Sequence, residues 1–118
     1  MSHTKPPKHD AQLHGFFSDG ISLVFDKKDN VAVLLRQAKK GTKIAIEENT
    51  LPIKQDIPFG HKVAIKNIPK DGYIIKYGIA IGRAKSSINA GEHVHVHNVE
   101  DITWELREKT RAKLKVRE

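Results

Sequence analysis

The sequence predicts a mainly β fold, built as one ribbon bent repeatedly on itself. Three observations carry that expectation. Between Ile21 and Asn98 the apolar residues fall in short runs that alternate with polar ones, which is the period of a half-buried strand. Polar turns closing on glycine introduce several of these runs, in Lys39-Lys40-Gly41, Pro69-Lys70-Asp71-Gly72 and Asn89-Ala90-Gly91. Only after Asn98 does the pattern change, to a charge-dense segment with helical character. The echo among the glycine turns is unequally spaced, which argues against a solenoid.

Residues 1–20 are polar, contain Pro6-Pro7 and the histidines His3, His9 and His14, and read as a disordered tail. Ile21 to Phe25 reads as a strand closed by the turn-rich Asp26 to Asn30. Val31 to Val33 starts a second strand, and the spacing of Leu34, Leu35 and Ala38 predicts a short helical turn near 34–38. Thr42 to Ile46 alternates as a strand should, Glu47 to Thr50 makes a hairpin end, and Pro52 marks Leu51 to Ile53 as an edge. After the Pro58-Phe59-Gly60 turn, His61 to Ile68 is expected as one strand. Val63 and Ile65 would share a face, opposite Lys62, Ala64 and Lys66. Tyr73 to Tyr77 and Ile79 to Ala84 follow, broken by Gly78, and lead to the histidine run. Residues 21–99 thus form the domain, and 100–118 a charged segment. There Asp101 is placed to cap a helix from Trp104 to about Lys115, with acidic residues early and basic ones late.

The composition narrows the partners. A chain of 118 residues fits one domain. Its net charge of +7 and pI near 9.7 admit nucleic acid, an anionic small molecule or an acidic protein partner. The aromatic content of 6% leaves few stacking platforms and disfavours nucleic acid. With no cysteine, disulfides, thiolate metal sites and a thiol nucleophile are excluded. No apolar run has the roughly 18 residues of a membrane helix, and the first residues lack a signal-type apolar stretch. The expectation is a cytoplasmic protein without a membrane partner.

The chemistry concentrates in His93-Val94-His95-Val96-His97. In an extended strand the three imidazoles line one face and the two valines the other. Imidazoles so spaced suit zinc, iron, nickel or copper, which makes His93, His95 and His97 candidate metal ligands. Three solvated histidines on the wet face of a strand is the other reading of the same spacing. His61, after its turn, is a candidate base or ligand. Lys62, Lys66, Lys70, Lys76, Arg83 and Lys85 can draw in a carboxylate or phosphate, or simply form a solvated outer face that protects a sheet edge. No Gly-x-Gly-x-x-Gly, P-loop or His-Glu-x-x-His is present, and Ser86 has no nucleophile-elbow context. As a free-standing enzyme the chain is poorly equipped.

A set of motifs then points further. Asp29-Asn30-Val31-Ala32-Val33, Lys40-Gly41-Thr42, Ile57 to Ala64 around Gly60-His61-Lys62, Ile75 to Ala84 around Ile75-Lys76-Tyr77-Gly78, and Ala90 to Asn98 occur in this order. Over residues 21–99 the chain resembles the N-terminal SAF domain of the altronate and galactarate dehydratase family. The likeness extends to the separate small subunit of the related sulfolactate sulfo-lyase. The resemblance implies a β-clip fold and a hydro-lyase acting on sugar acids, dependent on a divalent metal, usually iron. It implies a large catalytic subunit holding most of the machinery and much of the metal binding. On that footing His61 and His95 are candidate catalytic groups, and Lys62, Lys76 and Asn98 candidate substrate contacts. His93, His95 and His97 are candidate metal ligands, the substrate is an anionic sugar acid, and a homo-oligomer is open. The alternative is a non-enzymatic module that binds an anionic carbohydrate or a partner protein.

Overall fold

The computed structural model describes residues 17–117, with side chains placed for 18–111. The tail expected over 1–20 lies outside the described residues as far as residue 16. From Phe17 the chain is already paired, since β1 (Phe17–Ser18) runs antiparallel to β2 (Ser22–Val24). The remaining elements are β3 (Val31–Leu34), β4 (Lys43–Ile46), β5 (Asn49–Pro52), β6 (Lys62–Ala64), β7 (Tyr73–Lys76), β8 (Ile79–Ala84), β9 (His93–Val94), β10 (Val99–Glu100) and α1 (Thr103–Arg117). They form a five-stranded sheet in the order β1-β2-β3-β6-β9, a three-stranded sheet β10-β8-β7 and the hairpin β4-β5, all antiparallel. The mainly β expectation therefore holds. No helix among the described residues is long and apolar enough to cross a membrane.

The central pair β3–β6 divides two cores. Alternate residues of a strand point to opposite faces. Ala32 and its partner Val63 accordingly join Val24, Leu34, Ala38, Ile44, Ile53 and Ile57 on one side. Val31 and its partner Ala64 join Ile68, Ile74, Ala84, Ile88 and Val94 on the other. Each fully buried isoleucine contributes about 1.5–3 kcal/mol of transfer free energy, before the entropy of ordering the chain is counted.

The helical turn expected near 34–38 is absent. Leu34 ends β3 with its amide bonded to the His61 carbonyl at 2.9 Å and its carbonyl to the Gly60 amide at 2.8 Å. Ala38 exchanges both backbone bonds with Ile57. Leu34 and Ala38 reach one core through a curling extended chain, so the spacing that imitates a helix face arises from bends. The same device shortens the strand expected over His61 to Ile68. β6 ends at Ala64, and Ile68 is held by an isolated bridge to Ile88.

Two of the three echoing turns, at Gly41 and at Asp71-Gly72, hold matched places in a structural duplication, and the third, at Gly91, matches the turn at Gly60. In the first unit, Leu34 bonds His61 and Gly60, Ala38 bonds Ile57, and the Gly41 amide donates to the Ile53 carbonyl. In the second, Ala64 bonds Glu92 and Gly91, Ile68 bonds Ile88, and the Asp71 amide donates to the Ala84 carbonyl. The β4–β5 hairpin thus corresponds to β7–β8. A bulge in β7–β8, where Ile74 faces Gly82 but Ile75 faces Ala80, leaves Ile81 as the additional residue of the second unit. Left-handed backbone recurs at matched places, with φ of 93° at Gly41 and 71° at Asp71.

At the tip of β7–β8, Tyr77 and Gly78 both have positive φ, 61° and 75°, as a two-residue type I′ hairpin turn requires. This tip is tied down by the Asp29-Asn30 motif. The buried Asp29 carboxylate accepts the amides of Phe25, Asp26 and Gly78, and the Asn30 side chain bonds Tyr73 and Ile75. Asp101 accepts the Thr103 amide and hydroxyl at the start of α1, as its capping role predicts. Glu105 then anchors the helix by accepting from the Tyr73 hydroxyl, from Arg83 at 2.6 Å and from Lys109 at 3.3 Å.

Candidate functional site

The histidine run folds differently from a continuous strand. β9 ends at Val94, and residues 95–98 form a turn closed by the Asn98 amide on the His95 carbonyl at 3.0 Å. Val94 is fully buried while Val96 is exposed, so the two valines do not share an environment. The physical cause is Asn98. Its side-chain oxygen accepts the His95 amide at 3.0 Å and its amide group donates to the His93 carbonyl at 2.8 Å, offering the backbone a local alternative to sheet pairing. Across the strand, the Gln55 side chain accepts the His93 amide at 3.0 Å. No pattern in the sequence singled out Gln55, which becomes a neighbour only through the fold.

The turn leaves the imidazoles gathered, and β6 adds another. Antiparallel pairing sets Lys62 opposite Val94 and Val63 opposite His93, which brings His61 alongside the run. His61 Nδ1 lies 2.9 Å from His93 Nε2, and the His61 ring stacks on His95 with centroids 3.8 Å apart. One nitrogen from each of His61, His93 and His95 lies within 4.8 Å of the others. His97 is adjacent, its ring 5.0 Å from that of His93 and tilted by 41°. The gathered trio thus includes His61, from outside the run, together with two of the run's three histidines.

The electrostatics are one-sided. Burial, with His97, His61, His95 and Lys62 around it, pushes the His93 imidazole down to about 4. Burial, then His61, Lys62 and His97, lowers His95 also. Burial and the charge of Lys76 lower the half-buried Lys62 ammonium. Lys76 holds its ammonium 4.8 Å from the Tyr77 ring and 5.5 Å from the Phe25 ring, within cation–π range. The sequence-predicted residues His61, Lys62, His93, His95 and His97 thus meet at one place, with Lys76 near enough to act on Lys62. Asn98 directs its amide to the backbone that carries the imidazoles.

The donor set fits a divalent transition metal. Neutral imidazole is the ligating form, and a group held at about 4 stays neutral through the physiological range. His61, His93 and His95 are the residues that would hold the ion. The same nitrogen-rich surface also suits a carboxylate, for which imidazole N–H and ammonium groups are donors.

Residues 21–102 match the family model described as the altronate/galactarate dehydratase SAF domain. The chain is 46% identical over 70 residues to altronate dehydratase of Escherichia coli, covering 59% of this chain and 14% of that protein. It is 38% identical over 89 residues to the (2R)-sulfolactate sulfo-lyase subunit alpha of Chromohalobacter salexigens, covering 70% of this chain and 95% of that subunit. A match to galactarate dehydratase (L-threo-forming) of Escherichia coli is 40% identical over 68 residues, covering 56% of this chain and 12% of that enzyme. The chain therefore spans a small part of the dehydratases and nearly the whole of the sulfo-lyase subunit.

Proposed function

Because the chain belongs to the altronate/galactarate dehydratase SAF-domain family, we propose that it is the small subunit of a hydro-lyase acting on sugar acids, its site completed by a separate large chain. The observation that carries this reading is the trio His61, His93 and His95, with nitrogens within 4.8 Å of one another. Two relatives covered over most of their own length, by 95% and 81%, bear the name of a lyase subunit, which supports a two-chain enzyme.

In the proposed site each group has a role. Lys62 and Lys76 draw the carboxylate of the acid and hold it by charge-assisted hydrogen bonds. His61, His93 and His95 would hold a divalent metal, whose contribution when bound is to polarise an oxygen of the substrate. His95, stacked on His61, is half-exposed, so the ring nitrogen it does not offer to the ion can reach the substrate and donate a hydrogen bond to the departing hydroxyl. Gln55 and Asn98 keep the His93–His95 backbone in place.

The test is an assay of this chain with its large partner against a panel of sugar acids and sulfonated acids, alongside H93A and H95A. The expected result is dehydration by the wild-type pair, with turnover or bound metal lost in both variants. Unchanged turnover and unchanged metal content in both would overturn the assignment.

A further inference from the structure

The segments that carry the histidine cluster also carry exposed apolar side chains. Phe59, two residues before His61, is 68% exposed, and Val96, between His95 and His97, is 73% exposed. Leu35 is 39% exposed, and it follows Leu34, whose backbone bonds Gly60 and His61. Since His61 stacks on His95 at 3.8 Å, these side chains come from segments that converge on the same imidazoles. Exposed apolar side chains on three segments that meet at one cluster of half-buried polar groups suit an interaction surface, where apolar anchors exclude water from neighbouring groups.

We infer that Leu35, Phe59 and Val96 form the docking surface for the large chain, which closes over the histidine cluster and presents a carboxylate to it. This deepens the proposed function and rests on it. Charge selects the occupant. Among the described residues the groups acting on His93 are His61, His95, His97 and Lys62, all of them basic. Glu92, the neighbouring acid, turns its carboxylate to the Asn89 amide at 2.9 Å. Closing this face against a second copy of the same chain, itself of net charge +7, would set Lys62 and Lys76 against their own copies, an arrangement that like charge penalises. A chain offering a carboxylate supplies what this surface lacks.

The experiment mixes the full-length protein with the purified large dehydratase-like chain of the same organism. Affinity is measured by calorimetry for wild type, F59S, V96S and W104S. Trp104 is as exposed as Val96, but it sits on α1, which Glu105 ties to Tyr73 and Arg83. The expected result is at least about tenfold weaker binding for F59S and V96S, no change for W104S, and amide-exchange protection at 58–61 and 95–98 in the complex. Unchanged binding by F59S and V96S without that protection, loss confined to W104S, self-association that these variants abolish, or no complex at all would overturn the inference. H93A and H95A separate it from the parent reading. A complex that forms through this face and keeps full activity with both variants would sink the catalytic role and leave the surface standing.

Discussion

His61 lies face to face with His95, their ring centroids 3.8 Å apart and their planes 15° from parallel. One residue precedes β6 and the other follows β9, so their contact depends on the β6–β9 register and on the turn that ends β9. That turn is where the cluster is most open to test.

Asn98→Ala removes two hydrogen bonds to the His93–His95 backbone. Stability should fall by about 1–3 kcal/mol in urea titration. Affinity for zinc or cobalt, titrated on the isolated protein, should fall by about 10–100-fold, the usual effect of losing a group that orients ligands. Asn98→Asp retains an acceptor for the His95 amide and should lie between wild type and N98A.

Gly82 is required by close packing. A Cβ built there would stand 2.4 Å from Val99 Cγ1, across the β8–β10 pair. Gly82→Ala should cost about 1–3 kcal/mol by overpacking. Val99→Ala in the same chain should recover a measurable part of that loss, a coupling that a double-mutant cycle reads directly.

Asp71 holds a left-handed backbone that its counterpart in the first unit gives to Gly41. Its ion pair with Lys70, 3.6 Å long and exposed on both sides, adds little. Asp71→Gly relieves the strain but frees the unfolded chain, two effects of similar size and opposite sign. The expected net change is a gain of up to about 1 kcal/mol in thermal or urea unfolding, and a loss larger than that would refute the strain argument.

Acid should release α1 through Glu105. Hydrogen bonds from Tyr73 and Arg83 hold its carboxyl down at about 2, below the ordinary 4.5. A folded value below the unfolded one gives stability that is complete above 4.5 and is lost as pH falls toward 2. Wild-type protein followed by helical circular dichroism should lose α1 across that window. Glu105→Gln, lacking the titrating group, should show a lower and flatter signal.

The sequence made the strands legible wherever polar and apolar residues alternate between glycine turns. Tyr73 to Lys76 and Ile79 to Ala84 fall where the pattern sets them, because the Gly78 turn allows one geometry. It misled at Leu34 to Ala38 and at His93 to His97 for a common reason. In both places backbone partners far along the chain, or a side chain such as Asn98, override the local period. The residue types of the site were visible as a histidine run and a lysine-rich ribbon. The inclusion of His61 in the trio was not, since its position depends on strand register that no spacing encodes.

The duplicated hydrogen-bond scheme has a consequence for how this protein meets its ligands. His61 closes the first unit, while His93 and His95 lie just past the end of the second. An ion or anion held by all three therefore recognises only a chain in which both halves have formed, and it bridges them as a clasp. Each such ligand would stabilise the whole domain by mass action, by about 4 kcal/mol when present at a thousand times its dissociation constant. Occupancy and thermal resistance should consequently rise together.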